Sequence, residues 1–303
     1  MGRDRGSPSA LVLVYDSCPA DACTHAPCGD PKTLGCNTTM KYEFSARTDR
    51  GRVRANNEDA VSVDRHAQVA VLADGMGGYN AGEVASGMAT EFVHTEMVRW
   101  LAQGRRPEHD VCRALEICVE NANLAIFEAA QDNPQYAGMG TTLVAAVFQG
   151  ERLMLAHVGD SRCYRLRAGQ LTQITRDHSW LQEQIDAGLI TPQQAALSGH
   201  RNLVTRALGV EDTVQVETNE FQVKPQDLYL MCSDGLSEML SHAELTILAA
   251  ASVPLEDKVQ RLIDAANTRG GRDNISVVLV QTDGGAPAPA PKRSLVSRLL
   301  GSL

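Results

Sequence analysis

Four aspartates stand at the ends of apolar runs. Asp74 closes VAVLAD, Asp160 closes LAHVGD, Asp234 closes LYLMCSD, and Asp273 begins the turn that opens ISVVLV. Glu58 and Asp59 precede a further short run at Ala60-Val61. One acid at a strand end is an ordinary turn residue. Several gathered at the strand mouths of one sheet system concentrate negative charge in a poorly solvated rim. Carboxylates that close together are strongly disfavoured unless protonated or bridged by cations. Oxygen donors without a nearby His or Cys select hard ions, Mg²⁺ or Mn²⁺. Two such ions about 3.5–4 Å apart, sharing one carboxylate, hold and deprotonate a water. The pattern reads as a two-metal site.

Gly75, Gly77 and Gly78 in ADGMGG support that reading, because glycine lets the backbone approach closely enough for a main-chain carbonyl to serve as a ligand. A plain tight turn is the alternative. Arg54, in RANNED, precedes Glu58 by four residues. A guanidinium fork binds phosphate oxygens bidentately at any working pH, although an isolated arginine is commonly a solvated surface residue. The formal net charge of -9 excludes non-specific attraction to nucleic acid or an anionic membrane, so phosphate chemistry would need local cations.

The elements that must position these residues are short apolar strands alternating with helical stretches. VAVLA (69–73), TLVAAVF (142–148), RLMLAHV (152–158), CYRLR (163–167), DLYLMC (227–232) and ISVVLV (275–280) read as strands. Helices are expected over 81–103, 110–131 and 255–268, with shorter ones over 178–187 and 242–250. Gln149-Gly150 and Ala168-Gly169 are hairpin signals. Strands that follow one another so closely imply antiparallel sheets covered by helices, not an alternating parallel sheet. The 303 residues suffice for one large domain or two small ones, and 43% hydrophobic with 21% charged residues is globular composition.

Residues 1–39 differ, with Ser, Pro, Gly and Cys and little apolar periodicity, and read as a poorly ordered extension; Met40 is a candidate start. Cys18, Cys23, Cys28 and Cys36 lack the paired C-x2-C spacing of a zinc site, even with His25 nearby. Cys112, Cys118, Cys163 and Cys232 fall in or near apolar runs, as reduced thiols acting as small hydrophobes. LVLVY (11–15) is too short for a signal-peptide core, and no run approaches the roughly 20 residues that span a bilayer. Cytoplasm is the expected location. Residues 283–303 form a Pro/Ala spacer followed by RSLVSRLLGSL, a basic amphipathic tail that reads as frayed chain or a docking helix.

Six segments in order resemble the type 2C (PPM-type) metal-dependent protein serine/threonine phosphatases, in particular the bacterial branch. They are RANNED (54–59), ADGMGG (73–78), GMGTT (138–142), VGDSR (158–162), CSDGL (232–236) and RDNIS (272–276), within residues 40–281. The resemblance implies an α+β fold, a four-layer αββα sandwich of two antiparallel sheets flanked by helices, over residues 40–282. It implies that Asp74 bridges two Mn²⁺ or Mg²⁺ ions and that the Gly75 carbonyl binds one of them. Asp234 and Asp273 would complete the other ion's shell, with Asp59 and Glu58 acting largely through waters, Glu58 from outside the direct ligands. Asp160 with Asp234 would match a weaker third metal position. Arg54 would bind the substrate phosphate. Arg54 and Asp74 are thus the candidate catalytic residues, and water held between the ions would attack phosphorus in line.

Animal-type relatives carry a histidine in the glycine turn where this chain has Met76, and Tyr79 replaces a histidine of some bacterial relatives, so no side chain is assigned as general acid. His157 and His178 read as structural. Residues 176–208 correspond to the bacterial flap beside the site, where Arg201 and Arg206 would meet phosphopeptide or serve in surface ion pairs. The substrate class implied is a phosphoprotein, with a Hanks-type Ser/Thr kinase as partner in signalling, no nucleic acid, and a monomer. DGMGGYNAGE hints at type VI secretion phosphatases. Alternatives are a phosphoserine phosphatase of a partner-switching (anti-sigma antagonist) pathway and a non-catalytic phosphoprotein-binding module. A Ca²⁺ module would need a D-x-D-x-D-G loop, which does not occur.

Overall fold

Side chains alternate between the two faces of a strand, so a sheet built from fully apolar runs must be covered on both sides. The computed structural model, which describes residues 12–15, 40–77, 81–196, 198 and 203–283, meets that demand with two stacked sheets. The first runs in the order β1 (Val12–Tyr15), β3 (Asp59–Asp64), β4 (Val69–Met76), β6 (Leu143–Gln149), β7 (Arg152–Val158), β10 (Glu217–Gln222), with β5 (Gly140–Thr141) pairing the end of β4. The second runs β2 (Tyr42–Asp49), β12 (Ile275–Thr282), β11 (Leu228–Cys232), β8 (Arg162–Arg167), β9 (Gln170–Gln173). Every pairing between strands is antiparallel except that of β1 with β3.

Helices α1 (Ala81–Leu101) and α2 (Glu108–Asp132) cover the first sheet, where Ala85, Val93 and Leu115 bury Val71, Ala145 and Met154. On the other side α5 (Asp234–Ser237), α6 (His242–Ala249) and α7 (Leu255–Thr268) cover the second sheet through Leu245, Val259 and Leu262. Leu72, Val144, Phe148, Tyr229, Met231 and Val278 fill the space between the sheets. Each fully buried side chain of this size contributes about 1.5–3 kcal/mol. The layers are therefore αββα, as the resemblance implied.

Local chemistry sets the boundaries. Pro107 cannot continue a helix from its N-terminal side but starts one well, so α2 begins at Glu108, two residues before the expected 110. Ser241 and Glu244 form a reciprocal capping box that fixes the start of α6. Ala168 and Gly169, at φ 50° and 78°, make the two-residue turn between β8 and β9, which pair Arg167 with Gln170. Among the elements not foreseen are β2, β5, β9, β10, α5 and a short helix at Pro192–Ala196. β1 also falls inside 1–39; apart from its four residues, the reading of that segment as poorly ordered lies outside the described residues, as does that of 284–303. Cys118, Cys163 and Cys232 are buried, and burial pushes their thiol pKa values up.

Candidate metal centre

The register of β3 on β4 sets Asp59 directly opposite Asp74. The other acids arrive from neighbouring strand ends: Asp160 after β7, Asp234 after β11, and Asp273 before β12. A hydroxyl–amide frame holds them. Ser233 Oγ donates to Asp59 Oδ2 at 2.7 Å and accepts the Ser276 N–H at 2.9 Å. Asn274 accepts the Glu58 N–H at 2.8 Å and donates to the carbonyls of Arg50 and Asn56, both at 2.9 Å. One buried amide thereby ties the loop carrying Arg54 and Glu58 to the start of β12. Around Asp74, Thr142 Oγ1 accepts the N–H at 3.1 Å and Thr141 Oγ1 donates to the carbonyl at 2.9 Å. Thr142 Oγ1 also bonds Ser161 Oγ at 2.7 Å, next to Asp160.

Gly75 is required by space. A Cβ there would lie 2.1 Å from the Gly82 carbonyl oxygen and 2.5 Å from that of Glu58. The first turn of α1 thus presses against the turn after Asp74, and the Gly75 N–H donates to the Glu58 carbonyl at 3.1 Å.

The electrostatics show that the acids converge. Burial, then the charges of Asp59, Asp234, Asp160 and Asp273, push the Asp74 carboxyl well above the usual carboxylate range. Asp234 is pushed up likewise, by burial and then by Asp160 and Asp273. Asp59 and Asp160 are each raised to about 6, chiefly by burial. Asp59 Oδ1 is buried without a hydrogen-bond partner. An acceptor left bare in this way is costly, and the neighbouring carboxyls of Asp74 and Asp273 leave a cation as the natural partner. Asp59 and Asp160 are buried, whereas Asp74, Asp234 and Asp273 keep some exposure, so the cluster opens on one side. Glu58 is raised by burial and lies near Arg54, Asp273 and Glu83. Arg54, expected to meet substrate, donates instead to Asp273 Oδ2 at 2.6 Å with its side chain 50% exposed.

Beside the cluster lies a cleft of about 310 Å³, walled by Asp160, Asp234 and Glu238 on one side and by Asp177, Ser179 and Gln182 on the other. The second wall belongs to the flap, which contains α3 (Trp180–Asp186) and α4 (Pro192–Ala196). The flap returns through reciprocal backbone hydrogen bonds between Leu208 and Thr141, at 2.8 and 3.1 Å, and so rests on the Asp74 clamp. Arg162 grips Asp177 through three hydrogen bonds of 2.6–3.0 Å. Arg206 sits near His178, whose pKa falls to about 4 through burial, the neighbouring His157 and Arg206. Arg201, Gly78 and Tyr79 lie outside the described residues.

His157, His178 and Glu217 also bring donor atoms within 4.8 Å of one another. Their hydrogen bonds argue against a metal there. The Gly159 N–H donates to His178 Nδ1 at 3.1 Å, which leaves the proton on Nε2, facing Glu217 at 3.4 Å. The imidazoles stack at 4.7 Å and 17°, so their in-plane lone pairs do not converge. They hold the Gly159–Asp160 turn against the flap, a structural role.

A family model described as Protein phosphatase 2C matches residues 48–280. The chain belongs to the protein phosphatase 2C family. Serine/threonine protein phosphatase PstP of Mycobacterium tuberculosis is 42% identical over 246 residues, which are 80% of this chain and 45% of that protein. This chain thus spans less than half of that relative's length. Serine/threonine phosphatase stp of Listeria monocytogenes is 38% identical over 253 residues, covering 80% of this chain and 96% of the relative. The crystal structure of the PstP catalytic domain in complex with two manganese ions superposes with a TM-score of 0.72 at 39% identity, over 81% of this chain and all of that one.

Within this 2C fold, Met76 keeps the position the sequence assigned it, partly exposed at the end of β4, and its thioether has no acidic proton to give. The roles of Ser233, Thr142 and Asn274 were not foreseen, although each lies in a quoted motif. A small polar residue beside an acid signals turn chemistry and nothing more until its partner is known.

Proposed function

We propose that the chain hydrolyses phosphoserine and phosphothreonine in proteins, using two Mn²⁺ or Mg²⁺ ions held by Asp59, Asp74, Asp234, Asp273 and the Gly75 carbonyl. The convergence of Asp59, with its bare Oδ1, Asp160, Asp234 and Asp273 on Asp74 carries this reading. The donors fit the ions: all are oxygens, several are charged, and the cluster opens toward a cleft. Bound there, the ions would neutralise phosphate charge and activate a water for in-line attack. Asp74, clamped through its own backbone, orients its carboxylate across the cluster. Asp160, with Asp234, would hold a third, weaker ion, and Glu58 would act from outside the direct ligands.

Arg54 is the phosphate-binding cation, released from Asp273 when that carboxylate takes up a metal. Arg54→Ala should raise KM for p-nitrophenyl phosphate about tenfold or more while Mn²⁺ binding persists; steady-state kinetics with calorimetry of Mn²⁺ binding checks both. Hydrolysis of p-nitrophenyl phosphate should vanish in EDTA and return with Mn²⁺ or Mg²⁺. Undiminished turnover in EDTA would remove the reading. The natural substrates we infer are phosphoproteins, a Ser/Thr kinase among them, met by a monomer in the cytoplasm. No helix among the described residues is long and apolar enough to cross a membrane.

A further inference from the structure

The outer seam between α1 and α2 carries an apolar groove that the aspartate cluster does not use. Phe92, Met97 and Trp100 from α1 and Ala114, Ile117 and Cys118 from α2 line a hollow of about 250 Å³. A second hollow, about 310 Å³, continues it past Met88 and Ala125 toward the start of α1. Ile117 and Leu124, each 42% exposed, offer further apolar surface on α2. Glu91 borders one hollow and Glu96, which pairs with Arg99, borders both, and residues 81–132 carry nine carboxylates against four arginines. Contiguous apolar surface on a helix pair of net negative charge marks a contact site for a partner that is apolar and of opposite net charge.

Residues 292–303, KRSLVSRLLGSL, have that composition. Leu295, Val296, Leu299, Leu300 and Leu303 recur at helical spacing, Lys292, Arg293 and Arg298 are the only charged side chains, and no acid occurs among them. Twelve helical residues extend about 18 Å, the same as the rise from Met88 to Trp100 along α1.

The described chain also leaves at the right place. The Asp283 N–H donates to the Lys41 carbonyl at 3.0 Å. The adjacent Tyr42 hydroxyl donates to the Gly150 carbonyl at 2.6 Å, and Gln149 Nε2 donates to the Arg106 carbonyl at 2.6 Å. The Arg106 guanidinium lies 5.4 Å from the ring centre of Trp100. Four short steps thus lead from the last described residue to the mouth of the groove. Residues 284–291, GGAPAPAP, would bridge about 25 Å if extended like polyproline.

We propose that residues 292–303 dock as an amphipathic helix in the α1–α2 groove of their own chain, Leu and Val inward and the basic residues toward Glu91 and Glu96. This proposal stands independently of the metal centre. The chain has two tryptophans, so Trp180→Phe in the full chain isolates Trp100 as a reporter inside the groove. In that background Leu299→Glu should shift Trp100 emission to the red and increase its quenching by acrylamide, whereas Ser297→Ala on the polar face should change neither. Leu299 lies beyond the described fold, so its replacement leaves the groove itself intact. Emission indifferent to Leu299→Glu would overturn the proposal, and co-sedimentation of that unshifted protein with phosphatidylserine vesicles would assign the tail to a membrane surface. An emission shift on dilution would give the groove to a neighbouring copy's tail and equally overturn intrachain docking.

Discussion

Asp74→Asn is expected to abolish nearly all turnover and yet raise the melting temperature of the metal-free protein. Both effects follow from one position. Asp74 lies opposite Asp59 across the β3–β4 pair and within the field of Asp160, Asp234 and Asp273. Without cations, an ionised carboxylate there is disfavoured by burial first and by four like charges second. An amide of the same shape removes that repulsion and keeps the clamp from Thr141 and Thr142, which binds only the Asp74 backbone. With cations, the same carboxylate is the proposed bridge. An amide bridges hard ions poorly, and losing about 4 kcal/mol of transition-state stabilisation lowers the rate about a thousandfold. A purely structural Asp74 would give the opposite sign in the melting experiment. Asp234→Asn should behave in parallel, and wild-type turnover in that variant would exclude the metal assignment. Thermal melts in EDTA beside p-nitrophenyl phosphate kinetics read both effects.

The second large effect links metal, protons and stability. A carboxyl whose pKa is higher in the folded than in the unfolded state opposes folding in its charged form. Its favourable contribution is complete below the unfolded value, about 3.9, and is lost as the pH rises through the folded value. For Asp59 and Asp160 that value is about 6. Metal-free protein should therefore lose stability from these carboxyls between pH 4 and above 6. His178 acts in the reverse sense: buried neutral, with its pKa lowered to about 4, it favours folding above its unfolded value near 6.5 and less so toward pH 4. Its effect is common to protein with and without metal and cancels in the difference. The rise in melting temperature on adding Mn²⁺ should accordingly grow from pH 5 to pH 7.5. At a hundred times Kd, binding adds about 2.7 kcal/mol, or roughly 5–10 °C for a domain of this size. Equal increments at the two pH values would contradict a site made of carboxyls that titrate near 6.

Much of this organisation was legible in the sequence. The central strands, buried on both faces, had to be continuous apolar runs, and their ends placed the acids. Edge strands carry no such demand. β10, ETNEFQ, borders the first sheet with most of its residues half-exposed or exposed, and β2 edges the second with polar residues interspersed. Neither has the unbroken apolar pattern that identifies a buried strand. The site divides in the same way. Asp74 and Asp234 announce themselves through the runs they end, but Asn274 acts on carbonyls more than two hundred residues earlier in the chain. The Arg54–Asp273 pairing, 219 residues apart, is likewise a product of the sandwich and not of any local pattern. Nor does a lone histidine reveal its tautomer; the Gly159 amide that fixes it for His178 comes from a different turn.

The most direct measurement is anomalous diffraction at the manganese edge from crystals grown with MnCl₂. The account requires two peaks about 3.5–4 Å apart among Asp59, Asp74, Asp234 and Asp273, with the Asp74 carboxylate between them. A map with no peak in that cluster, or with manganese seated only at His157, His178 and Glu217, would contradict it.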